Sequence, residues 1–127
     1  LAQALPEGAA AELERLQEDH FDLLLFWDFF NYLDDTAVQA FDRALAPHIR
    51  PGSRGHGFLA PNSNITLPGR RYSLDDEGRL ILRATAASAL PVFPRPQGRL
   101  SNLLVSMSRG QGVLRPGGLL EFSLKGD

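Results

Sequence analysis

Three histidines, several serines, a Gly-x-Gly string and one carboxylate set among aromatic rings are the residues here whose types allow chemistry. His20, His48 and His56 lie 28 and 8 residues apart, on different segments. Metal ligands must converge at about 2 Å from an ion, and none of these pairs has the spacing that brings two ligands to one helix face. They read as element-end histidines, and no metal site is expected. Ser53, Ser63, Ser101, Ser106 and Ser108 lack the Gly-x-Ser-x-Gly context that exposes a hydrolase nucleophile on a strand-to-helix turn. The run Gly55-His-Gly57-Phe-Leu-Ala60 fits a dinucleotide fingerprint as a string. That mechanism needs a helix N-terminus directly after the glycines to face a pyrophosphate, whereas Pro61-Asn62 follows here. The glycines read instead as places of close packing.

Asp28 is different. It ends the run Phe21-Asp-Leu-Leu-Leu-Phe-Trp27 and is followed by Phe29 and Phe30. A carboxylate there, poorly hydrated among rings, suits a cationic or polar ligand group and has its pKa disturbed by desolvation. The same residue also suits a turn that Asn31 completes. Asp34 and Asp35 have a plainer role at a helix start, where a short side-chain oxygen accepts from the free N–H groups of the first turn.

Stepping outward, the elements that position Asp28 follow from periodicity. Leu23 to Trp27 has no polar residue and reads as a strand buried on both faces. Val38, Phe41, Leu45 and Ile49 fall at spacings of three and four, which predicts an amphipathic helix over about 36–49. Pro51-Gly52 stops it, and residues 55–60 return as a second apolar strand. Strand, helix and strand in this order make a right-handed parallel crossover, and in such sheets ligands gather at the carboxyl ends of the strands. Those ends are Trp27 to Leu33 and Ala60 to Asn64. Leu23, Leu25, Val38, Phe41, Leu45 and Phe58 are the expected core positions.

A short helix over about 9–18 precedes the first strand. Beyond the second strand, residues 71–74 and 79–83 flank Asp75-Asp-Glu-Gly78 as a hairpin. Pro91 to Gly98 holds three prolines and is expected to be irregular. Leu100, Leu103, Leu104 and Met107 give a brief helical face, and residues 111–115 and 119–124 a closing hairpin around Pro116-Gly117-Gly118.

The 127 residues suffice for one domain over residues 1–127, 43% hydrophobic and 22% charged, as in ordinary globular chains. A net charge of −2 with 13 scattered basic residues gives no reason to expect a nucleic acid partner. The densest basic group, Arg70, Arg71, Arg79 and Arg83, reads as a solvated hairpin face. Cysteine is absent, which excludes disulfides and thiolate chemistry and favours a cytoplasmic setting. Asn64-Ile-Thr66 matches a glycosylation sequon by chance spacing. No run approaches the ~20 apolar residues of a membrane span, so no membrane partner is expected. The chain begins at Leu1 rather than methionine, which suggests a fragment or a processed product.

Phe21-Asp22-Leu-Leu-Leu-Phe-Trp-Asp28-Phe-Phe-Asn31-Tyr-Leu33, with Ala44-Leu-Ala-Pro-His-Ile-Arg-Pro-Gly52, resembles the carboxyl half of a class I S-adenosylmethionine-dependent methyltransferase. The fourth strand of that family reads Phe-Asp-Leu-apolar, ends in an acidic or amide loop and leads to a helix ending Leu-x-Pro-Gly. Leu114-Arg-Pro-Gly-Gly-Leu-Leu-Glu121-Phe-Ser-Leu124 is similar to the antiparallel sixth and seventh strands that close its sheet. The resemblance implies an α/β fold, a partial Rossmann-like methyltransferase sheet with parallel strands and a carboxyl-terminal antiparallel hairpin. It implies that Trp27, Asp28 and Phe29 border the methionine end of S-adenosylmethionine. Asn31, Tyr32 and the loop holding Asn62 and Ser63 would face a small-molecule or protein methyl acceptor. The family's glycine-rich cofactor loop and ribose-binding acidic residue have no counterpart in this sequence, so weak or absent cofactor binding is expected of the chain alone. Three readings stay open: part of a methyltransferase that works with an amino half, a non-catalytic methyltransferase-like domain that binds a partner chain or itself at an exposed sheet edge, and an unrelated small α/β domain.

Overall fold

The structure is a computed structural model that describes residues 19–86 and 90–127. The helix expected over 9–18 lies outside the described residues. The crossover unit is present: β1 (Leu23–Trp27), α1 (Asp35–Leu45) and β2 (Arg54–Leu59), with β1 and β2 parallel. Asp34 caps α1 by accepting from the Ala37 N–H at 2.8 Å, as its position before an apolar stripe predicts. The α-helix ends at Leu45, short of the expected Ile49. Pro47 cannot donate to the helix ladder, and residues Ala46–His48 tighten into a 3-10 turn.

After β2 come the hairpin β3 (Arg70–Leu74) and β4 (Leu80–Ala84), the short helix α2 (Gln97–Leu103), and the closing pair β5 (Ser108–Leu114) and β6 (Leu120–Lys125). The main sheet runs β1-β2-β6-β5. β6 inserts between β2 and β5 and is antiparallel to both, so β1, β2 and β5 share one direction. β3 and β4 form a separate two-stranded sheet.

Alternation along the strands sorts residues onto two faces. Phe26, Leu59, Phe122 and Leu124 join Val38, Phe41 and Leu45 of α1 and Leu100 and Leu103 of α2 in the principal core. The opposite side chains of β2 and β6 include His56, Phe58, Glu121 and Ser123. At one end of that second face Phe58, Ala60, Leu67 and Leu119 form a smaller core, with Tyr72 and Leu80 of the hairpin packed on it. Gly55 and Gly57 lie within β2 rather than in a phosphate loop. A Cβ would stand 2.9 Å from the Phe26 ring at Gly55 and 2.7 Å from the Phe122 ring at Gly57, so these glycines make room for rings from the flanking strands.

One expectation fails. Leu23 is 60% exposed and Leu25 only partly buried. Among the described residues β1 is an edge strand with β2 as its one partner, and helices cover only the Phe26 side of it. An apolar run cannot by itself distinguish a central strand from an edge strand with an uncovered face. Val38, Phe41, Leu45 and Phe58 are buried as expected. Among the described residues no helix is long and apolar enough to cross a membrane.

Candidate functional site

The carboxyl end of β1 departs from regular geometry where the sequence places its carboxylate. The β1–β2 register shifts between Leu25 and Trp27, and Trp27 has φ +49, the one positive φ at a non-glycine residue among those described. A left-handed residue of this size costs roughly 1–2 kcal/mol, and such strain concentrates where geometry serves a site. The chain then turns through a 3-10 segment, Phe29–Tyr32.

Asp28 is half-buried at this turn. One carboxylate oxygen accepts from the Tyr72 hydroxyl at 2.5 Å. Burial raises its pKa above the ordinary value, opposed by the Tyr72 hydrogen bond and by the charge of Arg70. Tyr72, from β3, is raised in turn by burial and by the same carboxylate. Its ring stacks on Trp27 at 5.2 Å and on Phe58 at 5.7 Å. The Arg70 guanidinium lies 5.2 Å from the Phe58 ring centre and 5.8 Å from that of Tyr72. Two donors in this assembly, Trp27 Nε1 and Arg70 Nε, are buried with no hydrogen-bond partner.

The floor beneath is held by Asn31, which is fully buried. Its Nδ2 donates to the carbonyls of Phe58 at 2.8 Å and Asp28 at 3.2 Å, and its Oδ1 accepts from the Ala60 N–H at 2.8 Å. The side chain thus ties the β1 turn to the end of β2, and with its bonds made inside the protein it supports the site rather than lining it. Arg95, buried on the proline-rich stretch, donates to the carbonyls of Phe30 at 2.8 Å and Leu33 at 2.6 Å and pairs with Asp35. The same stretch is stitched to the floor by Phe93 N–H to the Asn31 carbonyl and Arg95 N–H to the Ala60 carbonyl.

The other candidate residues divide. Trp27 and Asp28 stand together at the carboxyl end of β1, both in contact with Tyr72. Phe29 sits edge-on to Phe30 and Phe41, partly covering the principal core. Tyr32 packs on the smaller core. Asn62 and Ser63 are exposed, and Asn62 Oδ1 accepts from the Asn64 N–H in a local turn. The histidines do not converge: His20 is exposed, His48 is buried against Phe21 with Nδ1 2.7 Å from the Asp19 carbonyl oxygen, and His56 pairs with Glu121 at 2.7 Å. Among the described residues no three His, Asp or Glu side chains are grouped to hold a metal ion.

Tyr72 and Arg70 are the site residues that local sequence logic misses. Arg71, Arg79 and Arg83 are exposed as the solvated-face reading expects, but Arg70 turns inward. Their one sequence sign is a cation and an aromatic two positions apart on a strand, and so on one face.

Several solved methyltransferase structures are similar to this chain in fold. The glycopeptide N-methyltransferase MtfA, complexed with sinefungin, matches with TM-score 0.53 at 12% identity over 86% of this chain and 59% of its own. DhpI with bound SAH matches with TM-score 0.55 at 15% identity over 91% of this chain and 52% of its own. An S-adenosylmethionine-dependent methyltransferase from Clostridium acetobutylicum matches with TM-score 0.50 at 12% identity, covering 84% and 58%. The chain has part of the fold of these S-adenosylmethionine-dependent methyltransferases. The chain spans between 52% and 59% of the length of these structures. No protein-family model matches the sequence, and no curated protein matches it in sequence.

Proposed function

We propose that this chain forms the carboxyl-terminal part of an S-adenosylmethionine-dependent methyltransferase and contributes one wall of its active site. The observation that carries the reading is the strained carboxyl end of β1, within a fold that matches part of such enzymes over most of the chain. There Trp27 is held in a left-handed conformation with Nε1 unpartnered, beside the half-buried Asp28. Such an orphaned donor and carboxylate fit one side of a ligand with both accepting groups and positive charge. When bound, S-adenosylmethionine supplies a methyl group on a cationic sulfur, and a carboxylate in a poorly hydrated wall favours that charge.

In this reading Trp27 and Asp28 border the methionine end of the cofactor, with Phe29 bracing them from the core side. Tyr72 orients the Asp28 carboxylate. Asn31 fixes the turn, while Tyr32 and the Asn62–Ser63 loop lie on the acceptor side, for a small-molecule or protein acceptor. The opposite wall, including donors to the ribose and to the cofactor's carboxylate, comes from an amino-terminal half. A second reading, a non-catalytic interaction module, draws on β1 as an edge strand among the described residues, where Leu23 is 60% exposed and a strand edge offers a template for another chain.

The test compares Asp28→Ala with Asp34→Ala in a protein that joins this chain to an amino-terminal methyltransferase half. The Asp28 variant should lose roughly tenfold or more in cofactor affinity, about 1.4 kcal/mol, at nearly unchanged stability. The Asp34 variant should keep its affinity and lose about 1 kcal/mol of stability with its helix cap. Equal affinities in wild type and Asp28→Ala would reduce Asp28 to a turn residue and favour the interaction module.

A further inference from the structure

A cavity of about 460 Å³ opens between the hairpin and the second face of the main sheet, lined by Phe58, Arg70, Leu80, Leu82, Arg115 and Glu121 with Pro116. Its place in the fold is specific. Phe58 is at the carboxyl end of β2 and pairs with Glu121 across the ladder. Arg115 directly follows β5, which runs parallel to β2. The cavity therefore sits at the same end of the sheet as Asp28, separated from it by the stacked rings of Phe58 and Tyr72. That is the end where ligands collect in sheets of this kind, and the volume lies within the range of small-molecule sites.

The lining has two characters. Phe58, Leu80, Leu82 and Pro116 make an apolar slot. Against it stand two guanidinium groups and one carboxylate. Glu121 is already engaged, 2.7 Å from His56 and 3.4 Å from Arg115. Arg70 forms no ion pair among the described residues; its guanidinium lies over Phe58 and Tyr72, and its Nε is buried without an acceptor. A buried donor in that condition is destabilising, a cost that a bound acceptor removes. Among the lining residues, two guanidinium groups against the one carboxylate of Glu121 leave one net positive charge. A monoanion balances it, whereas a dianion would face Glu121 uncompensated.

We propose that this cavity binds the carboxylate of a small molecule with a flat apolar body, the carboxylate accepting from Arg70 Nε and Arg115 and the body lying in the slot of Phe58, Leu80 and Leu82. Guanidinium forks match carboxylate geometry better than an ammonium does, and the ring stack places such a ligand next to Tyr72 and Asp28. That the ligand is the methyl acceptor rests on the proposed methyltransferase reading; its binding does not.

The test uses the 127-residue chain and three probes, 3-phenylpropionate, its neutral isostere 3-phenylpropionamide and inorganic phosphate, followed by NMR. 3-Phenylpropionate at millimolar concentration should shift the Arg70 Nε–H and the amides of Phe58, Leu80 and Glu121, and bind about tenfold more tightly than the amide or phosphate. Arg70→Gln should abolish the preference for carboxylate over amide, Arg70→Lys should restore it only in part, and Arg115→Gln should weaken it less than Arg70→Gln does. Equal binding of carboxylate and amide, equal binding of phosphate, shifts elsewhere on the surface, or an unchanged preference in Arg70→Gln would each overturn the proposal. If the arginine variants do not fold, the three-probe comparison on the wild-type chain decides alone. Methyl transfer that fails in the joined protein while the carboxylate preference holds would sink the acceptor role and leave the cavity assignment standing.

Discussion

Replacing Asn31 with alanine should destabilise the chain out of proportion to the few atoms removed. The side chain is fully buried and makes three hydrogen bonds. Asp28 C=O keeps a partner, since the Asn31 backbone N–H also donates to it at 3.0 Å. Ala60 N–H loses its side-chain acceptor, and Phe58 C=O loses a donor, both in the interior. At about 1–3 kcal/mol for each buried group left unsatisfied, the expected loss is about 2–6 kcal/mol, a large share of the roughly 5–15 kcal/mol typical of a domain. Asn31→Asp should be worse near neutral pH, because it keeps the acceptor but places a charge where two donors stood. Urea unfolding, followed by circular dichroism and by the fluorescence of Trp27, the single tryptophan, measures both variants. A loss below about 0.5 kcal/mol for Asn31→Ala, with an unchanged denaturant slope, would mean that the amide does not hold the turn to β2 and that the placement of Asp28 has another cause.

Two further perturbations probe the supports of the same region. Arg95→Ala removes a buried guanidinium from the carbonyls of Phe30 and Leu33 and from Asp35, and should cost about 3 kcal/mol in urea unfolding; a loss under about 1 kcal/mol would show that the proline-rich stretch is anchored otherwise. The Asp35 carboxyl is held below its ordinary value of 3.8, chiefly by its hydrogen bond to Arg99, with Arg95 adding to the effect. Because the folded-state value is the lower one, the stabilisation is fully present above the unfolded-state value near 3.8 and fades as pH falls through the folded value. The stability gap between wild type and Asp35→Asn should therefore be constant near neutral pH and shrink below about pH 4; a gap that widens on acidification would contradict the assignment.

Much of the scaffold was legible because its signals are local. The stripe Val38, Phe41, Leu45, the cap at Asp34 and the glycine turns at Gly78 and Gly117 each follow from spacing or from backbone freedom within a few residues, and α1 and both hairpins stand close to where they were expected. What was not legible depends on partners far along the chain. Leu23 belongs to a run that reads as doubly buried, yet its burial depends on which strand and which layer lie beside it. The insertion of β6 between β2 and β5 leaves no trace in alternation, since either order of the closing hairpin gives the same apolar pattern. The candidate site shows the same division. Asp28 was visible as a carboxylate closing an apolar strand, whereas Tyr72 reaches it from 44 residues away. Asn31 stands out in the sequence as a turn residue after Asp28, but only the three-dimensional ends of β1 and β2 reveal which groups its amide satisfies.

The central claim is that this chain supplies one wall of a cofactor site and an amino-terminal half supplies the other. Calorimetric titration of S-adenosylmethionine into the 127-residue chain, and into the same chain joined to an amino-terminal half that carries a glycine-rich loop, tests it most directly. The account predicts little or no saturable heat from the chain alone and one-to-one binding once the halves are joined. Tight, stoichiometric binding by the chain alone, or none by the joined protein, would contradict it.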